Sequence, residues 1–441
     1  MISHSELSES NRARTVCVVS STNIPNDPRV RRQCDGLFDA GWQVIAVGAP
    51  APKDPTCRWP VLTEVSSDEG GQSLSKKAGV CRKWILRLFG LRGWERVDYL
   101  LVRAILVKSA LMAHLRPAAA EAMYWSWPHI QRLFTVAQSV KPDLWVANDW
   151  DALPIVTRLA QINGGVYVYD AHEFAVNEYP ERWKWRLLYR SVVRNMESQS
   201  IRGAKVVSTV SGGIADALHE LYQLPARPAV IRSAPRYSQS PFRPTGETIR
   251  LLYHGIVAPG RGLEEAIASV PFWRPHFNLW IRGPGNPEYL QSLKNIIHAQ
   301  GVDDRVTLLP PVPMVELVER AREFDVGFFA LKGHSLQNHF VLPNKFFEYT
   351  MAGLALCVSD LPEMTRLCEQ YKHGVVFKGV DKNVIAEAVN KLDASGIDEM
   401  KRRSIAASSD LCWENEASRM VALYEEAVSD QRCAESGCPS A

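Results

Sequence analysis

The segment PNKFFEYTMAG, residues 343–353, holds the densest chemical signal in the chain. A loop there runs into a helix whose first turns carry one acid, Glu348, and Ala352 and Gly353 end the helix before the strand-like ALCVSD. A helix start presents unpaired N–H groups and the positive end of its dipole, which suits a diphosphate. A carboxylate on the same face can accept two hydroxyl protons from a ribose. A glutamate so placed is more often a dipole or capping residue than a ligand. A second cluster, GIVAPGRGL at residues 255–263, follows the strand-like IRLLY. Its Gly255, Gly260 and Gly262 let backbone approach a ligand closely, and Arg261 offers a permanent, planar cation to phosphate oxygens. A surface arginine in a glycine turn has the same pattern. Gly283 and Gly285 flank Pro284 after LWIR, and a lone G-x-G after a strand marks a tight turn.

The N-terminal half offers a different set. His172 and Glu173 follow the strand-like VYVY, at the carboxyl edge where parallel sheets bind ligands. Asp149, in NDWD, ends the preceding strand in the same way, as a ligand residue or a local helix cap. The loop 23–29, with Asn26 and Asp27, faces the same edge. No metal is expected. No cofactor is expected either.

Positioning these residues requires strands with crossover helices. TVCVVS at 15–20, a helix over 29–40 and a strand over 43–47 make a βαβ opening. Strand-like runs recur at 144–147, 166–169 and 206–210, and a second series at 249–253, 279–281, 306–309, 326–329, 355–358 and 375–377. The alternation predicts an α/β chain with two Rossmann-like domains. Residues 1–235 form the first and 249–408 the second, with 236–248, at the end of the Pro- and Ser-bearing run 233–248, as linker. A helix over 409–427, its pattern clearest from Asn415, returns to the first domain, and residues 428–441 are expected to be a disordered tail. A basic, Trp-bearing insertion at 76–127 sets Lys83 and Arg87 opposite Trp84, Ile85, Leu88 and Phe89. That pattern fits an anionic lipid surface, or ordinary helices with a solvated basic face.

Composition agrees with a folded enzyme: 441 residues are enough for two domains, with 46% hydrophobic and 22% charged. A net charge of +3 does not call for a nucleic-acid partner. Nine scattered cysteines without a C-x-x-C pair read as reduced thiols. The first residues show no secretory h-region, and no apolar run reaches the roughly 18 residues of a membrane span, so a cytoplasmic location is expected.

PNKFFEYTMAG resembles the donor-site helix of family 4 GT-B glycosyltransferases, usually P-N-K-L-F-E-Y-M-A-A-G. DPRVRRQCDGLFDAGWQVIAV, VYDAHEF, STVSGGIADAL, YHGIVAPGRGLEEAI, IRGPG and VTLLPPVPMVELVERAREFDVGFFAL resemble the family's other blocks, in its order. The resemblance implies two domains facing each other across a cleft. It implies retaining, metal-independent transfer of a hexosyl group from a nucleoside diphosphate sugar to a glycan or lipid-linked acceptor, in polysaccharide or glycolipid synthesis. Catalytic roles fall to Arg261, His172 and Glu348, the last as second acid of the family's E-x7-E pair. Donor contacts fall to Gly255, Gly260, Gly262, Gly283, Gly285, Asn338, Asn344 and Lys345, and acceptor-side contacts to Asn26, Asp27, Asp149, His172 and Glu173. Two positions depart from the pattern. Phe340 stands where the first acid belongs, leaving Asn338 or His339 to substitute, and Ile256 stands where the phosphate loop has its first cation. Pro310 and Pro311 remove N–H donors where the family reads the nucleobase. A nucleotide-sugar epimerase on the same fold, or a degenerate GT-B binding scaffold, remains an alternative. Peripheral contact with the inner face of an anionic membrane is the further partner expected.

Overall fold

A computed structural model describes residues 13–50, 54–63, 112 and 116–436. Seven strands form the first sheet: β1 (Thr15–Val19), β2 (Gln43–Val47), β3 (Val61–Leu62), β4 (Leu144–Asn148), β5 (Val166–Ala171), β6 (Val207–Thr209) and β7 (Ala229–Val230), in the order β3-β2-β1-β4-β5-β6-β7. Six form the second: β8 (Ile249–His254), β9 (Phe277–Arg282), β10 (Val306–Leu309), β11 (Val326–Phe329), β12 (Ala355–Ser359) and β13 (Gly374–Phe377), in the order β10-β9-β8-β11-β12-β13. β1 pairs in parallel with β2 and β4, and β8 with β9 and β11. Each sheet therefore reverses its strand order beside its first strand, and a crevice opens there at the carboxyl ends.

The chemistry of the strands explains their place. β4 and β12 are buried at every position, as strands covered on both faces must be. Asp27 starts the Pro28–Asp39 helix: its Oδ1 accepts the Arg29 and Val30 N–H groups, and Pro28 needs no partner for an N–H it lacks. The helix then delivers Arg29 to Asp170 at the end of β5. Two bonds of 2.7 Å join guanidinium to carboxylate, with Gln33 Nε2 also donating to Asp170. Both charges are buried, so either one alone would be an uncompensated ion.

Two boundaries differ from expectation. The compact units are 1–170, 175–205 and 427–441 on one side, and 171–174 and 206–426 on the other. The first unit thus ends near 205 rather than 235. The Gly212–Tyr222 helix belongs to the second unit because its first turn is bonded there: Gly213 N–H donates to Glu363 Oε1 at 2.7 Å, and Ser211 Oγ to the Phe340 carbonyl at 2.8 Å. The last helix runs Trp413–Ser436, overturning the disordered tail expected from 428, since nothing before Gly437 and Pro439 stops a helix. Residues 437–441 lie outside the described residues, as does the insertion over 76–111 with Lys83 and Arg87. No described helix is long and apolar enough to cross a membrane. The described cysteines Cys17, Cys34, Cys57, Cys357, Cys368 and Cys412 are free thiols.

Candidate active site

The second unit gathers its chemistry at the carboxyl ends of β8, β9 and β11. After β8 the chain turns through Gly255, and after β9 through Gly283, and the two turns are laced together. Gly255 N–H donates to the Arg282 carbonyl at 3.0 Å, and Val257 N–H to that of Pro284 at 2.8 Å. Gly283 has φ 151°, and a Cβ there would lie 1.8 Å from the Gly255 carbonyl oxygen. Gly262, at φ 70°, would put a Cβ 1.8 Å from the Ala330 carbonyl oxygen. Only glycine fits either place.

Arg261 stands on this loop with no hydrogen bond or ion pair among the described residues. Lys345, in the first turn of the Asn344–Met351 helix, comes to the same place from the other side. Its Nζ lies 4.0 Å from the Tyr253 ring centre and 4.5 Å from that of Phe329. Burial pushes the ammonium down to about 7, and the Arg261 charge adds to the fall. Pro343 gives that helix no side-chain cap, so its first N–H groups are free of one. The surroundings combine two cations, a helix start and bare glycine backbone, an arrangement that attracts a diphosphate.

Glu348 lies one turn further along and is buried. Its Oε2 is 2.8 Å from Nε2 of His254, the last residue of β8. The His254 ring packs at 4.6 Å from the Tyr349 ring, and its backbone N–H donates to the Tyr349 hydroxyl at 2.9 Å. Sequence reasoning missed His254, although YH directly before the glycine loop marked the strand end. Glu348 is thus a held carboxylate, not a free helix-capping acid.

The departures also find their physical reasons. Phe340 sets its ring against Gly213, where a Cβ would sit 2.1 Å from it, so the position of the missing acid is a packing position. Asn338 lies in the short Leu336–His339 helix, its amide 3.4 Å from the His334 ring. Next to it, buried Gln337 accepts the Phe174 N–H at 2.6 Å and so fastens the segment carrying His172 and Glu173. Ile256 is 61% exposed, an apolar side chain where the resembling family has a cation.

Residues 248–394 match the family model of glycosyl transferases group 1. The second unit carries a group 1 glycosyl transferase domain. No curated protein matches the chain. Among solved structures, sucrose-phosphate synthase from Thermosynechococcus elongatus aligns with TM-score 0.67 at 14% identity, over 95% of this chain and 100% of that one. HepE from Anabaena, solved with UDP-glucose, gives 0.60 at 12% identity, over 95% and 99%. WaaG, a glycosyltransferase of lipopolysaccharide biosynthesis, gives 0.60 at 12%, over 93% and 99%. The fold is therefore GT-B, and the chain sets a glycosyltransferase domain on a glycosyltransferase fold.

The unit that accompanies the glycosyl transferase domain has its own cluster at the end of β4. Asp149 adopts φ 65°, a conformation an Asp or Asn tolerates better than most residues. Asp151 was not singled out from sequence. Burial pushes its carboxyl up to about 7, Asp149 adds to the rise, and Oδ1 has no hydrogen-bond partner among the described residues. Glu178 is likewise raised by burial. Tyr124 donates to the Asp151 carbonyl at 2.6 Å, and the Trp127 and Trp150 rings stand edge to face at 6.0 Å. Of the other residues assigned to this side, Asn26 is exposed and Asp27 spends Oδ1 on the helix cap.

Proposed function

We propose that this chain transfers a hexosyl group from a nucleoside diphosphate sugar to a hydroxyl of a glycan or lipid-linked glycan, retaining configuration and using no metal. Arg261 and Lys345 take the diphosphate oxygens, with N–H groups at the Asn344 helix start. Glu348, oriented by His254, takes the ribose hydroxyls. His172 and Glu173 contact the transferred sugar or acceptor, and Asn26, Asp27 and Asp149 serve the acceptor. The observation that carries the reading is the convergence on the Gly255–Gly262 loop of two cations with no ion pair among the described residues, with a buried, histidine-held carboxylate one helical turn away. Negative charge develops on a departing diphosphate, and fixed cations there lower the barrier.

Lys345 offsets the cation missing at Ile256, which separates this reading from a degenerate scaffold. UDP-sugars are the donors to try first, because HepE was solved with UDP-glucose. The test is a thermal-shift screen of nucleotide sugars followed by a transfer assay. A donor at about 100 times its Kd should stabilise the fold by about 2.7 kcal/mol. If no nucleotide sugar shifts the melt, the reading fails. Binding without transfer to any glycan or lipid acceptor would favour the scaffold, a reading that Phe340 at the first-acid position supports. The chain would work in the cytoplasm, in peripheral contact with the inner membrane face where a lipid-linked acceptor resides.

A further inference from the structure

In the first unit, the helices Trp183–Leu188 and Arg190–Ser200 follow one another with only Tyr189 between them. The first of these buries none of its residues. The second buries Val192, Val193, Met196 and Glu197 and turns its other side outward. Along the outward side, Arg182, Arg186, Arg190 and Arg194 recur at every fourth position, and all four are exposed. Arg190 and Arg194 lie near one another on the second helix, Arg186 lies on the first and Arg182 stands at its N-cap, so the four make a row along this segment of chain. Arg186, Arg190 and Arg194 have no ion pair among the described residues, while Arg182 lies 3.8 Å from Glu181. Lys184 adds a fifth exposed cation. Two aromatics accompany the row: Trp183 is 61% exposed and Tyr189 42% exposed.

We infer that this row docks the first unit onto an anionic phospholipid bilayer, with the arginines on lipid phosphates and Trp183 and Tyr189 at the headgroup level. Charge complementarity selects an anionic partner, because five cations stand against Glu178 and Glu181 alone over residues 178–194. The aromatics select a bilayer among anionic partners. An indole left mostly exposed is costly in water and favourable at a membrane interface, where one end is apolar and the other wet. A short helix that buries nothing in its own protein but pairs cations with exposed aromatics has the composition of an interfacial helix. The inference rests on the peripheral membrane contact proposed above and is independent of the donor site.

The test is co-sedimentation of the full chain with phosphatidylcholine vesicles, with and without about one third phosphatidylglycerol, at low salt. The wild type should prefer the anionic vesicles at least tenfold. Combined Arg186→Gln, Arg190→Gln and Arg194→Gln should lose about two orders of magnitude, each cation near the surface being worth roughly a factor of five. Trp183→Ala should lose a further severalfold, a loss that persists when salt screens the charges. Because these side chains are exposed, the melting temperature should not change, which separates lost docking from lost folding. Equal binding to both vesicle types would overturn the inference. So would wild-type binding by the triple variant, or loss confined to a variant neutralised at Lys83, Arg87, Arg92 and Arg96. Capture of a single-stranded oligonucleotide as tightly as vesicles would assign the row to nucleic acid instead.

Discussion

Glu348 Oε2 lies 2.8 Å from His254 Nε2, so the carboxyl group is fixed in direction before a ligand arrives. Glu348→Gln keeps the shape and loses charge-assisted bonds to ribose hydroxyls, worth about 1.5 to 3 kcal/mol each. Transfer should fall at least tenfold while the far-UV spectrum is unchanged, and full activity would remove Glu348 from the site. Arg261→Lys keeps the charge but cannot make two parallel bonds to phosphate, so kcat should fall more than donor affinity. Wild-type turnover by Arg261→Ala would reduce the loop to a structural turn. Lys345 predicts a pH effect whose sign follows from its environment. Free, the ammonium loses its proton through about 7; beside a diphosphate the charged form is favoured, so above that pH binding must take up a proton. Nucleotide-sugar affinity should therefore weaken between about pH 6.5 and about 8.5, by up to tenfold per unit above 7, and Lys345→Gln should flatten the slope. A flat wild-type profile measured by calorimetry would show that Lys345 stays charged or stays away from the diphosphate. Glu348, Arg261 and the glycines were singled out in the sequence by their place in family-like blocks, since by type alone each also reads as a cap or a turn. His254 and Asp151 were not, since a histidine in a strand or one acid among several becomes informative only when its neighbour across the fold is known.

Glycine turns after β8 and β9 act as one element, because their backbones bond to each other within van der Waals distance. Gly283→Ala should destabilise the chain by about 2 to 4 kcal/mol through strain and overpacking, and weaken donor binding with it. Gly246→Ala, where nothing lies within 4 Å of the added Cβ, should change the urea midpoint little. Equal midpoints for the two variants would mean the loops are not locked together. At this scale the sequence was most readable. Hydrophobic runs located β1, β2, β4, β5 and β8–β13 to within two residues, since strands buried on both faces must be apolar throughout. The two-residue edge strands β3 and β7 escaped because so short a run has no periodicity. The helical extension to Ser436 escaped because a Cys- and Ser-containing end carries no apolar stripe to announce it.

Taken as a whole, the molecule distributes its candidate site residues over two units. Gly255, Arg261, Gly283, Lys345 and Glu348 all belong to the unit that matches the glycosyl transferase model, while Asp149 and Asp151 belong to the other. Sequence spacing could order these blocks along the chain, but the division near 205 depends on hydrogen bonds from Ser211 and Gly213 to residues more than a hundred positions away, which no local pattern encodes. The division predicts that donor binding and transfer separate by mutation. Asp149→Asn is the suitable probe. Asparagine tolerates the positive φ of 65° as well as aspartate does, so backbone strain does not confound the change, and only the charge is lost. If Asp149 serves the acceptor, nucleotide-sugar affinity by calorimetry should stay within about twofold of wild type, while kcat for transfer falls at least tenfold, about 1.4 kcal/mol of barrier. Glu348→Gln should show the complementary pattern, weakening donor affinity as well as turnover. Weakened donor binding in Asp149→Asn, or transfer undiminished at saturating acceptor, would show that the acid at the end of β4 is not an acceptor residue.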